Sequence, residues 1–459
     1  MNWEGLLGTA MVGTGRRDLP ADVLDGVATV SAEGPEATVL AAAAVLGAYR
    51  RAGWTPPAWG GEVVEPAARD ERPVCSPAAA QVLELLVSRD IRVEGGNELL
   101  IGHWLATCAR AGQRPPARLV VLLLRLATAT RGLRDEVAAI AGPRGEWLAR
   151  RNPSWAWAAP VAATDAKERF ATGTWAQRQA VLTALRRTDP AGARALVEST
   201  WEQEPAATRA GMVDVLGVNL SDEDEPFLES TLDDRAVTVR AAAAALLDRL
   251  PRSRRAARMA QRVRDLEPPE ELDASARRDG ITDQREHGHG RRASWLIQLL
   301  GAAPLGPVPD DLSTADSWVV VGWTMAALRQ RDERWLVALA RARPTPEVVA
   351  ALPTAEAIAV VDRESTVDAR FAGLLAACPG PWPAEFSTRI VVRLRGARTE
   401  GALTLAFAAL ARNLHHTALP AVESWIEDTP PDKRARRRTL RGLAHALTIR
   451  QTIEQEFPL

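Results

Sequence analysis

Apolar residues recur along this chain at helical spacing, while strict alternation of apolar and polar residues is rare. A spacing of three and four residues places apolar side chains on one face of an α-helix. The pattern predicts helices over 36–52, 77–90, 97–112, 116–131 and 136–151, and again over 316–341, 346–378 and 384–457. A Pro- and Gly-rich stretch between the first two helices predicts a loop. We therefore expect an all-α protein.

The middle of the chain contains an internal repeat. Arg178, Arg209 and Arg240 recur at intervals of 31 residues. A large apolar residue precedes each arginine by eight positions, and apolar residues follow it by four and by seven positions. In chain order these residues are Phe170, Trp201 and Leu232, then Leu182, Val213 and Ala244, then Leu185, Leu216 and Leu247. Three successive units in one register indicate a repeat architecture.

Each unit carries the signals of two short helices. Asp189-Pro190 is typical of an N-cap followed by proline at the first helical position. Thr174 begins a capping box, and Ser221 offers a cap in front of several acids. Helices of about 12 residues are marginal alone in water, so each must bury its apolar stripe against a neighbour. The spacing therefore predicts a solenoid segment over 166–264.

The stretch LDDRAVTVRAAAAALLDRL, residues 232–250, resembles a HEAT-like repeat. An acid, a Val-Arg pair and a small-residue run that ends in leucine carry the resemblance. It implies stacked helix pairs in which the arginine of one unit pairs with an acid of an adjacent unit, such as Asp233 or Asp234. HEAT and armadillo units usually span about 40–47 residues, so a 31-residue spacing indicates a short variety with tight turns.

The expected fold is thus an α-solenoid of HEAT-like helix pairs flanked by N- and C-terminal helical regions. The predicted layout is an N-terminal helical region (1–165), the HEAT-like repeats (166–264), a polar linker (265–293) and a C-terminal helical region (294–459). The linker is assigned because its polar, turn-rich sequence offers no apolar face to bury.

Composition and charge exclude several classes of protein. The formal net charge is -1, so any attraction to nucleic acid or anionic lipid must be local. Cys75, Cys108 and Cys378 are far apart and form neither a zinc motif nor a disulfide framework. No apolar stretch of about 18 residues and no leader-like start occurs, so we expect a soluble, cytoplasmic protein without a membrane partner.

Two arginine-rich runs are candidates for a charged binding surface. The first comprises Arg252, Arg254, Arg255, Arg258, Arg262 and Arg264, and the second comprises Lys433, Arg434, Arg436, Arg437, Arg438 and Arg441. Such runs are commonly solvated helix faces, and a surface for an acidic partner or a phosphate backbone is the alternative.

The second run is denser and follows a Pro-Pro turn. Arg434, Arg437, Arg438 and Arg441 are separated by offsets of 3, 4 and 7, which predicts one helix face with Lys433 beside it. These five residues are the candidate partner-binding residues.

Other chemically suggestive groups have plainer interpretations. His287 and His289 form a two-ligand cluster without a third donor. His415 and His416 are adjacent, which on a helix predicts that their side chains point apart. The acids of 222–225 are explained by helix capping. No nucleophile, phosphate-loop or dinucleotide motif occurs, so we predict no catalytic, cofactor-binding or metal-binding residues and no enzymatic activity.

A wider resemblance covers nearly the whole chain. Residues 6–20, 145–157, 224–247 and 294–305 resemble landmarks of an uncharacterised bacterial family defined by a domain of unknown function. Its members are often encoded beside a SWIM zinc-finger protein, a MoxR-class AAA+ ATPase and a von Willebrand A-domain protein. The resemblance implies an accessory or scaffold role in an ATPase-linked assembly.

The leading functional hypothesis is a non-enzymatic protein-binding scaffold or adaptor. An AAA+ ATPase or a von Willebrand A-domain protein is the partner that the resemblance implies. The alternative is a DNA-associated HEAT-like solenoid, either a binder or a glycosylase-like enzyme. Such an enzyme would require tryptophans and aspartates on a basic groove, whereas the repeat register of Trp175 and Trp201 favours packing.

Overall fold

The computed structural model describes residues 2–53, 64–88, 97–159, 163–264, 269–397 and 401–457. The chain is all-helical, as the sequence predicts. Within the described ranges, β pairing is limited to one bridge between Val74 and Arg114. The chain divides into two compact units, residues 1–66 and 67–459. This boundary lies inside the N-terminal region that the sequence prediction treats as one.

The described part of the first unit contains two helices, α1 (Trp3–Val12) and α2 (Pro35–Ala52). The Asn2 side chain caps α1 by accepting a hydrogen bond from Gly5 N at 2.7 Å. Leu6 of α1 and Leu46 of α2 are buried in one small core that also contains Val23. This shared core holds the two helices together.

The second unit begins with four helices that the periodicity predicts. They are α3 (Pro77–Ser88), α4 (Glu98–Arg110), α5 (Ala117–Ala129) and α6 (Arg134–Ala149). The last residues predicted for α3, 89–90, and part of the predicted loop, 55–63, lie outside the described residues. Trp104 is fully buried among these helices, and its indole N–H donates to the carbonyl of Ala79 at 2.9 Å.

Helix α6 is kinked at Gly142, which precedes Pro143. Gly142 has φ 53° and ψ -153°, a conformation that only glycine adopts readily. The Arg72 guanidinium lies beside it and donates to the carbonyls of Ala139 (2.9 Å) and Ile140 (3.1 Å). A Cβ at position 142 would come within 2.2 Å of Arg72 Nη2. The kink therefore requires glycine for both conformation and space.

We expect Gly142→Ala to lower the free energy of unfolding by about 1–3 kcal/mol, because a strained backbone and a displaced Arg72 both disfavour the native state. Urea unfolding followed by circular dichroism measures this change. Gly132→Ala is the control, since a Cβ there meets no atom within 4 Å. Equal stability of the two variants would show that the kink is not strained by a side chain.

Seven helices occupy the predicted repeat region. They are α7 (Ala163–Thr172), α8 (Trp175–Thr188), α9 (Pro190–Thr200), α10 (Ala206–Leu216), α11 (Glu225–Thr231), α12 (Val237–Leu247) and α13 (Arg254–Arg262). Helix α8 packs against α10, and α10 packs against α12. Leu216 and Leu247 are fully buried, as the register predicts. The predicted cap is also confirmed, because the Asp189 side chain accepts a hydrogen bond from Gly192 N at 2.9 Å.

The three repeat arginines occupy equivalent places, as predicted, since each is the fourth residue of its helix. The guanidinium of Arg178 lies 4.4 Å from the ring centroid of Phe170, and that of Arg209 lies 5.6 Å from that of Trp201. These aromatic partners are the residues eight positions earlier in the register. The repeat spacing therefore places a cation over an aromatic ring in two successive units.

These arginines also connect neighbouring units. Arg209 forms a bidentate ion pair with Asp234, with both N–O distances at 2.9 Å. This pairing confirms the expectation that an acid of the next unit receives the arginine. Arg178 pairs with Glu204, which also precedes the next repeat helix, through its Nη2 alone. Arg240 instead donates to the backbone carbonyl of Asp234 at 2.7 Å.

The expectation that residues 265–293 bury no face is wrong for the part that the structure describes. Residues 269–293 contain a short helix, α14 (Ala274–Arg278), and Leu272, Ala276 and Ile281 are buried against α13 and α15 (Arg291–Ala302). Only a few apolar residues are needed here because arginines of α13 satisfy the fully buried Asp279. The polar composition of this segment did not predict its packing, because the charged side chains are paired within the protein.

Nine further α-helices lie in the described residues after α15. They are α16 (Ser317–Gln330), α17 (Glu333–Ala342), α18 (Pro346–Ala351), α19 (Thr354–Arg363), α20 (Ala369–Ala377), α21 (Ala384–Arg395), α22 (Gly401–Asn413), α23 (Leu419–Asp428) and α24 (Arg434–Glu456). Alternate helices pack together in this region, as they do in the repeat region. Helix α20 contacts α18 and α22, and α22 contacts α24.

The last helix returns to the start of the second unit. Helix α24 packs against α3 and α4, and the ring of Phe457 meets that of Trp104 edge to face at 5.3 Å. Buried residues of 75–158 and 312–457 consequently form one hydrophobic core. The sequence prediction treats these two segments as separate flanking regions, whereas the structure joins them.

Candidate partner-binding face

Helix α24 begins at Arg434, after a turn formed by residues 429–433. Its apolar residues Leu440, Leu443 and Leu447 are spaced by three and four positions, and all are buried. Burial of this stripe fixes the rotation of the helix about its axis. Arg434, Arg438 and Arg441 are therefore held on the opposite, outer side.

Four of the five candidate residues are exposed, namely Lys433, Arg434, Arg438 and Arg441. Arg434 and Arg441 are two helical turns apart and have no carboxylate partner within the described ranges. Arg437 differs from the others because it is half-buried and donates to the carbonyl of Thr429 at 3.2 Å. We call the four exposed residues the basic face.

The electrostatics of this helix start are unusual. The free N–H groups at a helix N-terminus favour nearby negative charge. Helix α24 has no acidic residue in its first turn, and three of its first four residues are arginine. Arg436, which lies off the basic face, stacks on Trp425 at 5.4 Å from the ring centroid. This arrangement favours an anionic group from outside the helix.

The other arginine run is used within the protein. Arg254 pairs with Glu225 at 2.9 Å, and Arg258 pairs with Glu229 at 2.7 Å. The remaining pairs are Arg252 with Asp222, Arg255 with Asp248, and Arg262 with Asp279. Burial raises the pKa of Asp279, but Arg258 and Arg262 more than offset this and lower its pKa. This run consequently offers few unpaired cations to a partner.

A buried ion pair explains one of the acids that the sequence prediction assigns to capping. Asp224 accepts hydrogen bonds from Ser221 N at 3.1 Å and, bidentately, from Arg186 at 3.0 and 2.8 Å. Both charged side chains are fully buried. Burial alone would raise the pKa of Asp224, but Arg186 and Arg194 lower it. Capping is therefore only part of the role of Asp224.

The prediction that His415 and His416 point apart is wrong. Their ring centroids are 4.2 Å apart, because His415 precedes the short 3-10 turn instead of lying within a helix. His416 Nδ1 lies 3.6 Å from Glu454, and His103 Nε2 lies 3.3 Å from the same carboxylate. The nearby Arg450 is 3.5 Å from Glu454. No local spacing could have revealed this group.

Trp175 and Trp201, which the DNA-binding alternative would place in a groove, pack inside the repeats instead. A Cβ on Gly211 would lie 2.5 Å from the Trp175 ring, so the two residues are in close contact. The Trp201 ring meets Phe227 edge to face at 5.1 Å, with Arg209 near its face. The interpretation of these residues as packing anchors is confirmed.

Two further features bear on possible chemistry. Among the described residues, no three His, Cys, Asp or Glu side chains are grouped so as to hold a metal ion. Cys75, Cys108 and Cys378 are buried free thiols, and burial raises the pKa of both Cys108 and Cys378 to about 12. A thiol with so high a pKa is a poor nucleophile at neutral pH.

A family model described as "Family of unknown function (DUF5691)" matches residues 5–457. The chain belongs to this family. Membership in DUF5691 confirms the resemblance to a family defined by a domain of unknown function. No curated protein and no solved structure matches the chain. Across the part of the chain that the structure describes, no helix is both long and apolar enough to cross a membrane.

Proposed function

We propose that this chain is a non-enzymatic protein-binding scaffold that docks an acidic surface of a protein partner on its basic face. The observation that carries the proposal is the contrast between its two arginine runs. The run at 252–264 is largely paired with carboxylates, whereas Arg434 and Arg441 have none among the described residues. Exposed charge held on a rigid helix suits electrostatic steering of a partner.

We propose further that the helix pairs form a HEAT-like α-solenoid. Support comes from the side-by-side packing of α8, α10 and α12 and from the equivalent places of their arginines. Helices α18, α20, α22 and α24 repeat the same alternate packing. A stack of this kind presents an extended surface on which a partner can bind without any catalytic group.

The partner class that we propose is an AAA+ ATPase or a von Willebrand A-domain protein. A protein is favoured over DNA for two reasons. Trp175 and Trp201 are used in packing, and most arginines of the first run are neutralised by carboxylates. A basic patch limited to 433–441 is also short for a duplex-binding groove.

The test is co-purification of partners from the native host, comparing the wild type with Arg434→Glu/Arg441→Glu. Partners retained by the wild type should be lost in this variant and should also be released by salt, because contacts between exposed charges are screened. Both side chains are exposed, so the fold should be unchanged. A thermal melt of the variant checks this expectation.

Arg125→Glu/Arg285→Glu is the matched control, since it changes the net charge equally at exposed positions outside the basic face. Partners should remain bound to this control. A mobility shift with duplex DNA is run in parallel, and DNA binding that only the first variant loses would favour the nucleic-acid alternative. Retention of all partners by Arg434→Glu/Arg441→Glu would contradict the proposal and indicate that the run at 433–441 is a solvated helix face.

A further inference from the structure

A cavity of about 570 Å³ lies where α4, α22 and α24 meet. The loop at Gly380 and Pro381 and the ring of Phe457 complete its wall. This volume is within the range of sites for small molecules, which span about 300–1,000 Å³. The cavity lies at the junction between the first and the last helices of the second unit. It is separate from the basic face, which is not part of its lining.

Three arginines line this cavity. Arg110 is in the last turn of α4, Arg412 is in the last turn of α22, and Arg450 is in the middle of α24. Arg110 and Arg412 are exposed, and neither has a carboxylate partner within the described ranges. Arg110 Nη2 donates to the Thr107 hydroxyl at 3.1 Å, which restricts the orientation of its guanidinium. Two unpaired guanidiniums thus converge on one cavity from different helices.

The single carboxylate of the lining, Glu454, does not neutralise these arginines. Its oxygens already face His103 at 3.3 Å, Arg450 at 3.5 Å and His416 at 3.6 Å. Contact with His103 and the charge of Arg450 lower the pKa of Glu454 to about 2, so it stays ionised at neutral pH. The positive charge of Arg110 and Arg412 therefore remains available to a ligand.

Arg450 adds a buried donor. Its side chain is only 7% exposed, and its Nη1 donates to the carbonyls of Ala411 at 3.3 Å and Leu414 at 2.9 Å. Its Nε is buried with no hydrogen-bond acceptor among the described residues. A buried guanidinium that is incompletely bonded gains from an additional acceptor nearby.

We propose that this cavity binds a small molecule that carries a phosphate group. Guanidinium forks match the geometry of phosphate oxygens and bind them bidentately, so Arg110 and Arg412 are the principal ligand-binding residues. A metal ion is disfavoured although His103, His416 and Glu454 are neighbours. The cationic Arg450 contacts the same carboxylate and would repel a second cation.

The experiment is calorimetric titration of the full chain with inorganic pyrophosphate at low ionic strength. The wild type should bind saturably, with one site per chain. Arg110→Gln and Arg412→Gln should each weaken binding about ten- to hundredfold, the usual effect of losing a hydrogen bond between charged groups. Both positions are exposed, so thermal melts of the variants should match the wild type.

Arg125→Gln is the matched control, because it removes an exposed arginine of α5 that does not line the cavity. Its affinity for pyrophosphate should equal that of the wild type. The proposal is overturned if the wild type shows no saturable binding, or if Arg125→Gln weakens binding as much as Arg412→Gln. Neither result bears on the basic face, since no variant touches it.

Discussion

Replacing Arg186 with leucine should lower the free energy of unfolding by about 3–5 kcal/mol, the usual cost of removing one partner of a buried ion pair. The substitution leaves Asp224 fully buried with only the partly exposed Arg194 as a cationic partner. It also removes the donor to four backbone carbonyls, those of Pro190, Leu216, Val218 and Asn219. Urea unfolding of the full chain measures the loss.

The adjacent Arg187 provides a close control. Its side chain is 54% exposed, and it pairs with Asp135, which is 74% exposed. An exposed ion pair contributes about 0–1 kcal/mol, so Arg187→Leu should change stability little. Equal destabilisation by Arg186→Leu and Arg187→Leu would show that the buried Arg186–Asp224 pair contributes no more to stability than the exposed Arg187–Asp135 pair.

Leu216→Ala and Leu247→Ala should each cost about 2–5 kcal/mol, through lost apolar burial and the cavity that remains. Both leucines are fully buried and occupy the same place in successive repeats. The double variant should cost about the sum of the two single variants if the sites are independent. Denaturant unfolding of the three variants provides these values.

Leu405→Ala is the matched control, because this leucine of α22 is 58% exposed. Its truncation should change stability by less than about 1 kcal/mol. Losses of less than about 1 kcal/mol at both Leu216 and Leu247 would mean that the apolar stripe of the repeat is wrongly assigned.

The repeat could be predicted from the sequence because its signals are local. Each unit places its arginine and its leucines at fixed offsets within one helix, so the spacing alone locates equivalent residues. The acid that receives Arg209 also follows from this logic, since Asp234 lies in the loop before the next repeat helix. The relative positions of residues within one helix depend only on their spacing in the sequence, and not on how the rest of the chain packs.

The different ion pairing of the two arginine runs could not be predicted from composition. Arg254 and Arg258 of α13 face Glu225 and Glu229, which lie on α11. Both pairs are separated by the same distance along the chain, close to one repeat length. A search for opposite charges 29 residues apart, two fewer than the repeat spacing, would have found them. In the run at 433–441, Arg434 has no carboxylate partner among the residues that the structure describes.

No local sequence pattern could have predicted the cavity. His103 and Glu454 are close in space but come from opposite ends of the second unit. Their contact depends on α24 packing against α4, which is decided by burial of the apolar stripe of this long helix and not by a motif. The wrong prediction for His415 and His416 has a related cause, because it assumed a helix where the chain forms a turn.

The most direct test of docking at the basic face uses the lysines of the chain, which are Lys167 and Lys433 alone. Both are exposed, and only Lys433 belongs to the basic face. An amine-reactive cross-linker is added to the chain with its co-purified partners, and mass spectrometry locates the linked residues. We expect cross-links to a partner at Lys433 and few at Lys167. Cross-links that form at Lys167 and are absent at Lys433 would contradict docking at this face.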